Sequence, residues 1–455
     1  MAEAGLQADV VVVGLGPGGE DAAGRLAQAG LDVVGIDGAL VGGECPYWGC
    51  VPSKMMIRAA NLLAEARRVP GMAGRSTVEP DWSVVARRIR QEATDDWDDK
   101  VAVERLEDKG VRFIRGWGRI DGPGRVVVGA QVVEATRAIL LNPGTEPWAP
   151  PIPGLAGLPY WTNHQAIETE VVPGSLLVLG GGAIGLELGQ VFARFGTEVT
   201  IVEAADRLLA LEEPESSVLI ESVLTREGLS VVTEADITGA RHGAHGFTLE
   251  LVDGGVSAEQ LLVATGRRSD LTALGVGSIG LDEKARSISV DGRLRAAPGV
   301  WAIGDVTGEG AFTHVSMYQS AIAVSDILGH PTAEADYHAL PRVTFTDPEI
   351  GSVGMSEASA RKVGLSVRTG FTDIATSTRG WIHKAGNEGF IKLVEDTGRG
   401  VLVGATSAGP VGGEVLGLLA LAVHAEVPTA TLRRMIYAYP TFHRAVEAAL
   451  NDLGS

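Results

Sequence analysis

Two cysteines, Cys45 and Cys50, are the residues whose type and spacing most directly indicate chemistry. They are the only cysteines among the 455 residues, and four residues separate them within the segment 43–54. A thiol pair without any other partner in the chain is typical of a redox couple. Because Pro52 fits the first turn of a helix, both cysteines precede or open a helix N-terminus, where the helix dipole stabilises a thiolate. The pattern predicts a dithiol that accepts and donates electrons.

A glycine-rich loop precedes the cysteine pair and predicts a dinucleotide site. A buried strand over 9–13 leads into a G-x-G-x-x-G sequence, an alanine-rich helix follows to Ala29, and a strand over 32–36 ends at Asp37. The loop glycines are Gly14, Gly16 and Gly19. Such glycines permit a tight turn and a close approach of the backbone to pyrophosphate. The carboxylate of the acid at the strand end accepts hydrogen bonds from ribose hydroxyls. The free N–H groups at the helix N-terminus then bind the phosphates.

The same arrangement occurs a second time. A strand over 175–179 leads into a glycine loop and a helix to about Phe195, and a strand over 198–202 ends at Glu203. The loop glycines are Gly180, Gly182 and Gly185. A carboxylate at this strand end accepts a hydrogen bond from the 2′-hydroxyl of NAD and repels the 2′-phosphate of NADP. NADH is therefore favoured as the cofactor, although Arg207 lies nearby and would weaken that preference.

The composition excludes several classes of function. With 38 Lys and Arg against 57 Asp and Glu, the net charge is −19, which argues against nucleic-acid binding and against an anionic membrane surface. The N-terminus lacks the features of a signal peptide, and no apolar run is long enough for a transmembrane helix. Two cysteines in so long a chain indicate a catalytic rather than a structural pair, so we expect a cytoplasmic protein. No metal site is predicted.

The length predicts about three domains, and a hydrophobic content of 45% predicts well-buried cores. Between the two fingerprints we expect helices over 53–69 and 82–109. The acidic residues of the second helix are predicted to lie on a solvated face; they are Asp95, Asp96, Asp98 and Asp99. From about Pro341 the pattern changes to strands followed by helices, which indicates a separate C-terminal domain.

Taken together, these motifs resemble those of the class I pyridine nucleotide-disulfide oxidoreductases, the flavoprotein disulfide reductases. This family includes dihydrolipoamide dehydrogenase, glutathione reductase and mercuric reductase. The resemblance covers the whole chain in order. Besides the two fingerprints, the matching segments are 43–54, 264–267, 304–305 and 347–354.

The resemblance implies an α/β fold with two Rossmann-like dinucleotide-binding domains, for FAD and NAD, and a C-terminal α+β dimerisation domain. FAD would bind to 1–148 and 269–336, NAD to 149–268, and 337–455 would form the interface of a homodimer. Each active site would be completed by the partner subunit.

The resemblance also assigns roles to single residues. Cys50 would contact the flavin as a charge-transfer thiolate, and Cys45 would exchange with the substrate. Lys54 would lie near the flavin N5, paired with Glu187. The resemblance further implies that Asp37 contacts the FAD ribose and that Asp305 contacts the ribityl chain. It also implies cofactor contacts at the glycines Gly118, Gly266 and Gly304.

The C-terminal motif departs from the family pattern. Relatives that act on lipoamide or glutathione carry a His-Pro pair and a nearby Glu that orients the histidine, whereas here Tyr439 occupies the histidine position and Arg444 falls near that of the Glu. A phenol with a pKa near 10 is a poor base at neutral pH. Either His443 replaces the base, paired with Glu447 one helical turn away, or no base is needed. A cis bond between Tyr439 and Pro440 is also plausible.

The sequence therefore predicts an FAD-dependent NAD(P)H oxidoreductase that reduces a small-molecule or protein disulfide through Cys45 and Cys50. One alternative is a reductase of quinones or other small acceptors that uses the flavin directly. Another is a dihydrolipoamide dehydrogenase-like subunit of a multienzyme complex. Mercuric reductase fits poorly, because its family pattern has an extra cysteine pair at the C-terminus.

Overall fold

The computed structural model describes residues 6–454. Its strands, in chain order, are β1 (Leu6–Val13), β2 (Val33–Asp37), β3 (Val111–Arg115), β4 (Gly118–Ile120), β5 (Arg125–Val128), β6 (Gln131–Leu141), β7 (Glu146–Pro147), β8 (Ser175–Leu179), β9 (Glu198–Val202), β10 (Ser230–Val232), β11 (Ile237–Gly243), β12 (Gly246–Leu251), β13 (Gly254–Ala258), β14 (Gln260–Val263), β15 (Arg267–Arg268), β16 (Arg295–Ala297), β17 (Val300–Ala302), β18 (Pro341–Thr344), β19 (Glu349–Gly354), β20 (Val367–Asp373), β21 (Phe390–Asp396) and β22 (Val401–Gly409).

The α-helices, in chain order, are α1 (Pro17–Gln28), α2 (Glu44–Tyr47), α3 (Cys50–Arg68), α4 (Trp82–Arg88), α5 (Lys100–Asp108), α6 (Asn163–Glu168), α7 (Ala183–Arg194), α8 (Pro214–Arg226), α9 (Leu271–Leu274), α10 (Thr313–Leu328), α11 (Glu357–Lys362), α12 (Thr378–His383), α13 (Gly412–His424), α14 (Thr429–Leu432) and α15 (Arg444–Asp452). A π-helical turn over Ile89–Ala93 follows α4. Short 3₁₀ turns occur at Val276–Ile279, Gly304–Thr307 and Ile374–Thr376.

Among the described residues, one compact unit comprises 6–52, 86–148 and 266–336. Its main sheet runs in the order β16-β17-β6-β1-β2-β3, with β5 and β4 attached through β6. The pairs formed by β1 with β2 and β6, by β2 with β3, and by β17 with β6 are parallel. Because β1 is central and its last four residues, Val10 to Val13, are apolar and buried, its end places the first glycine loop at the edge where the strand order reverses, which is where such sheets bind ligands.

The second compact unit comprises residues 53–85, 149–265 and 337–454. It contains a parallel sheet in the order β10-β9-β8-β14, in which β8 takes the central position that β1 takes in the first sheet. A three-stranded antiparallel sheet, β11-β12-β13, is a separate element of this unit. The second glycine loop follows β8 and leads into α7, so both predicted fingerprints occupy the same kind of position.

The C-terminal part of the second unit is an antiparallel sheet with helices. Its five strands run in the order β18-β19-β22-β21-β20. The apolar faces of α13 and α15 pack with this sheet into one core, in which Leu419, Ile391 and Leu450 are fully buried. The predicted fold class, with two doubly wound sheets and a C-terminal α+β part, is confirmed.

The predicted helix over 82–109 is wrong in its middle. The chain leaves the helical conformation after the π-helical turn, and Asp95, Asp96 and Trp97 take left-handed backbone angles before α5 begins. The acidic run therefore lies in a loop rather than on a helix face. Asp99 is buried, and it accepts hydrogen bonds from the Val41 N–H at 2.7 Å and from Arg115 at 2.5 Å.

Within residues 6–454, none of the helices combines the length and the hydropathy that a bilayer-spanning segment requires.

Candidate active site and nucleotide-binding loops

The two cysteines lie at consecutive short elements. Cys45 belongs to α2 and is half-buried, whereas Cys50 is the first residue of the 19-residue helix α3 and is exposed. Their thiols are in hydrogen-bonding contact. The Sγ atom of Cys50 also lies 3.3 Å from the Oγ1 atom of Thr313, the first residue of α10. The predicted position of Cys50 at a helix N-terminus is therefore observed, and Thr313 is a neighbour that the sequence did not indicate.

The electrostatic environment differs from the expectation for Cys45. The hydrogen bond with the Cys50 thiol and burial raise the pKa of Cys45, although the Thr313 hydroxyl opposes this effect. The predicted stabilisation of a thiolate by the helix N-terminus therefore concerns Cys50, because Cys45 belongs to α2 and lies outside the first turn of α3.

In the first glycine loop, the outer glycines are required by packing. Gly14 has a φ of +91°, and a Cβ atom there would collide with the carbonyl oxygen of Asn142. A Cβ on Gly19 would collide with the carbonyl oxygen of Gly14. By contrast, a Cβ on Gly16 would meet only the Asn142 side chain, at 3.2 Å. The middle glycine is therefore the one whose lack of a side chain serves an approaching ligand.

The second loop repeats this division of roles. A Cβ on Gly180 would lie 2.5 Å from the Ala264 carbonyl oxygen, and a Cβ on Gly185 would collide with the carbonyl oxygen of Gly180. No protein atom lies within 4 Å of the position that a Cβ on Gly182 would take. Gly182 also precedes α7 directly, so the free backbone N–H groups of that helix adjoin an open space. This geometry suits a pyrophosphate.

Each loop is held by the acid at the end of the next strand. Asp37 accepts hydrogen bonds from the N–H of Leu15 at 2.6 Å and of Ala39 at 2.8 Å. Burial nevertheless raises the pKa of Asp37. Glu203 accepts from the N–H of Gly181 at 2.6 Å and of Ala205 at 2.7 Å. A carboxylate has about four acceptor sites, so each acid retains sites for ribose hydroxyls.

Arg207, which the sequence placed near Glu203, is engaged elsewhere. Its guanidinium donates to the carbonyl oxygen of Glu212 at 3.1 Å, to that of Ala210 at 2.8 Å and to the Ser217 hydroxyl at 2.8 Å. These bonds close the loop that follows β9. The side chain is therefore committed to its own loop, and its expected influence on the nucleotide ribose is not supported by these contacts.

Asp305 lies in the 3₁₀ turn after β17. It accepts a hydrogen bond from the Thr145 hydroxyl at 2.7 Å, and burial raises its pKa. Thr145 in turn accepts from Arg267 Nε at 3.0 Å. This chain of bonds joins the segment before β7 to the Gly-Asp segment and leaves a half-buried carboxyl that is suited to a hydroxyl-bearing ligand.

The remaining predicted glycines differ in their surroundings. Gly304 has a φ of +78° and donates its N–H to Gln319 at 2.6 Å. Gly266 has a φ of +121° and open space at its Cβ position. Gly118 lies in β4, where a Cβ would come within 3.0 Å of Val13 and 3.1 Å of Ile36. Packing against these strands is a sufficient reason for glycine at position 118.

Lys54 and Glu187 form the predicted pair. The Lys54 ammonium lies 2.8 Å from Glu187 Oε2, and it also lies 4.6 Å from the centre of the Phe345 ring. The second carboxylate oxygen of Glu187 accepts from the Phe345 N–H at 2.8 Å. Since Glu187 is almost fully buried and Lys54 is about one-third exposed, the carboxylate fixes the direction of a lysine that still reaches solvent.

The C-terminal segment does not form the expected His443–Glu447 pair. Helix α15 begins only at Arg444, and His443 is its N-cap with an exposed side chain. Glu447 pairs instead with Arg444 at 3.1 Å, three residues away. The Arg444 guanidinium also lies 5.6 Å from the centre of the Tyr439 ring. The pairing hypothesis is therefore wrong in this structure, because Arg444 occupies the place that the histidine needed.

The Tyr439–Pro440 bond is cis, as considered from the sequence. Tyr439 is 65% exposed, and its hydroxyl lies 3.4 Å from that of Thr378. The neighbouring Tyr437 is buried instead, donates to the Leu432 carbonyl oxygen at 3.1 Å, and has a pKa that burial raises to about 12. Tyr439 is thus the tyrosine of this segment that a substrate can reach.

Comparison with known proteins agrees with this geometry. Residues 8–322 match the family described as pyridine nucleotide-disulphide oxidoreductase, and residues 340–450 match the dimerisation domain of that family. A dihydrolipoyl dehydrogenase of Thermus scotoductus is 32% identical over 98% of this chain and 97% of the relative. A mercuric reductase of Acidithiobacillus ferrooxidans is also 32% identical, over 98% of this chain and 82% of the relative.

Solved structures show the same fold. The Cu(II) complex of the HOCl-induced flavoprotein disulfide reductase RclA from Escherichia coli superposes with a TM-score of 0.86, at 25% identity and over 98% of this chain and 99% of that chain. The glycine loops, the thiol pair and these matches agree. The chain belongs to the pyridine nucleotide-disulfide oxidoreductases, the NAD(P)H-dependent flavoproteins whose electrons pass through a redox-active disulfide.

Proposed function

We propose that residues 1–148 and 269–336 bind FAD, that residues 149–268 bind the nicotinamide nucleotide, and that residues 337–455 form a homodimer interface. The loop around Gly16 and the half-buried acids Asp37 and Asp305 support the first assignment, because they offer phosphate and hydroxyl partners. When bound, FAD supplies the two-electron chemistry that links a hydride donor to a disulfide. The match to a dimerisation domain supports the last assignment.

NADH is the proposed hydride donor. Glu203 retains acceptor sites for a 2′-hydroxyl and would repel a 2′-phosphate, and the nearest arginine is committed to its own loop. The comparison of kcat/KM for NADH and NADPH tests this choice. We expect NADH to be preferred in the wild type and the preference to shrink in Glu203→Ala. A clear preference for NADPH in the wild-type protein would overturn the assignment.

Cys50 and Cys45 are proposed to carry two electrons to a disulfide substrate. In the reduced pair, the Cys45 sulfur attacks the substrate disulfide, forms a mixed disulfide and releases one thiolate. Cys50 then attacks Cys45, which re-forms the Cys45–Cys50 bond and releases the second thiolate. The net reaction converts NADH, one proton and one disulfide into NAD⁺ and two thiols. The contact between the two thiols, together with the match to this family, supports the proposal.

Lys54 is proposed to hold positive charge beside the reduced cofactor. Its ammonium is oriented by Glu187, which is itself fixed by the backbone N–H of Phe345. A cation near an electron-accepting ring stabilises the reduced form. In this role Glu187 is a positioning residue, because it acts through Lys54.

Proton transfer at sulfur is proposed to proceed without a His–Glu dyad. Tyr439 occupies the position of the usual histidine, His443 is exposed at a helix cap, and Glu447 is bound to Arg444. Thr313 is the hydroxyl that contacts the thiol pair. We therefore propose a substrate whose leaving thiolate is stable enough to depart without prior protonation.

We also propose a cytoplasmic location. The sequence has only two cysteines, and the disulfides that occur in cytoplasmic proteins are usually catalytic.

The variant Cys45→Ser tests the disulfide route. Loss of disulfide turnover, with flavin reduction by NADH retained, supports it. Cys50→Ser removes the other half of the pair and is measured alongside Cys45→Ser for comparison. Unchanged turnover of the physiological acceptor in Cys45→Ser would instead favour direct reduction of a quinone or another small acceptor by the cofactor.

A further inference from the structure

A group of basic side chains from α12 and the start of α15 lies around the Tyr439–His443 turn. We define the cationic collar as Arg379, His383, Lys384, His443 and Arg444. It is formed by α12 and by the start of α15. In a chain with a net charge of −19, a local excess of basic groups is unusual and indicates a specific use.

The collar is organised around two aromatic residues. The Arg379 guanidinium lies 5.5 Å from the centre of the Phe442 ring, and the His383 ring contacts the same ring edge-on at a centroid distance of 5.7 Å. Arg444 lies 5.6 Å from the centre of the Tyr439 ring. The aromatic faces therefore hold the cations in place without neutralising them.

The fixed positive charges of the collar are those of Arg379, Lys384 and Arg444. Among the described residues, 6–454, Arg444 is the member with an ion pair, to Glu447. No ion pair in this part of the chain involves Arg379 or Lys384. Many other arginines of the second unit are paired with acids, as Arg342 is with Glu212 at 2.6 Å. The collar is thus a place where positive charge remains available for an external anion.

We propose that the collar recognises an anionic acceptor, namely a disulfide that carries carboxylate groups. The inference rests on the proposed function, a disulfide reductase, and adds that the exposed Tyr439 segment faces the substrate. Arg379 and Lys384 attract and orient the carboxylates, and the Tyr439 ring, whose hydroxyl lies 3.4 Å from that of Thr378 next to Arg379, offers an apolar face. The collar is a specificity device rather than part of the electron path.

Matched pairs of acceptors test the charge preference. Lipoate and lipoamide share one dithiolane ring and differ by a carboxylate, and dithiobis-nitrobenzoate and dithiodipyridine form an anionic and a neutral aromatic pair. The variants are Arg379→Gln and Lys384→Gln, and the control is Lys362→Gln, an exposed lysine of α11 outside the collar. The measured quantity is the anionic-to-neutral ratio of kcat/KM.

We expect each collar variant to lower this ratio about three- to tenfold, with little change for the neutral acceptor, and added salt to lower it more in the wild type than in the variants. Equal losses for both acceptors would overturn the proposal. So would dissociation of the dimer in the collar variants, measured by sedimentation, because the collar would then pair with acids of the partner subunit. If Cys45→Ser reduces all four acceptors as fast as the wild type, the disulfide route itself fails, and this outcome is distinct from failure of the collar.

Discussion

The variant Gly182→Ala separates nucleotide binding from folding. Gly182 has φ and ψ angles of −84° and −179°, which alanine adopts without strain, and no protein atom lies within 4 Å of the new methyl group. The free energy of unfolding should therefore change by less than about 0.5 kcal/mol, as is usual for an unobstructed surface position. Flavin content should stay at the wild-type level, since FAD is assigned to the other loop.

Nucleotide binding should be strongly affected by the same methyl group. It fills the space through which a pyrophosphate oxygen approaches the backbone N–H groups at the start of α7. Losing one charge-assisted hydrogen bond costs about 1.5–3 kcal/mol. Since about 1.4 kcal/mol corresponds to a tenfold change, the Kd for NAD⁺ should rise about 10- to 150-fold. Calorimetric titration of the oxidised holoprotein with NAD⁺ measures this change without turnover.

Gly185→Ala is the matched control. Its Cβ would collide with the Gly180 carbonyl oxygen and come within 3.0 Å of Val178, so it should destabilise the protein itself by about 1–3 kcal/mol. If Gly182→Ala binds NAD⁺ with wild-type affinity, or if it loses FAD while retaining NAD⁺, the assignment of this loop is refuted.

Three further predictions concern the thiol pair and its neighbours. Thr313→Val removes a hydrogen bond worth about 1 kcal/mol, so the pH profile of thiol alkylation in the reduced protein should move up by about 0.7 pH units, whereas Thr313→Ser should not shift it. Because the hydrogen bond with Cys50 and burial raise the pKa of Cys45, its thiolate fraction grows with pH, so kcat/KM for a disulfide should rise as the pH is increased above neutrality while flavin reduction by NADH stays nearly constant; a flat disulfide profile would show that another base acts. Glu187→Gln keeps a carbonyl acceptor for the Phe345 N–H but loses the negative charge beside Lys54. We expect the free energy of unfolding to fall by about 1–2 kcal/mol, a figure already reduced for the exposure of the lysine, and flavin reduction by NADH to be slower. An unchanged rate of flavin reduction would exclude a positioning role for Glu187.

The parts of the site that depend on local spacing were predictable from the sequence. The glycine loops follow from a strand, a tight turn and a helix that must lie within a few residues of each other. The Lys54–Glu187 pair came from the family resemblance, and the structure has it at 2.8 Å.

Contacts between distant segments were not predictable. Thr313 lies 263 residues from Cys50 in the sequence, and its position at the start of α10 carried no chemical signature. The raised pKa of Cys45 likewise depends on burial that a linear pattern does not report.

Two local expectations failed because of backbone details. The acidic run was assigned to a helix face, but left-handed residues from Asp95 to Trp97 interrupt the helix and allow Asp99 to turn inward. The His443–Glu447 pair assumed that the helix already includes position 443. Because α15 starts one residue later, the i,i+3 partner Arg444 binds the carboxylate instead.

Anaerobic titration of the FAD-loaded protein with NADH tests the central claim most directly. If electrons pass from the cofactor to Cys45 and Cys50, the first equivalent should produce long-wavelength absorbance from a thiolate beside oxidised flavin, and the second should bleach the flavin. Cys45→Ser should show that absorbance before any NADH is added. Bleaching of the wild-type flavin by the first equivalent, with no long-wavelength band at any stage, would contradict the account.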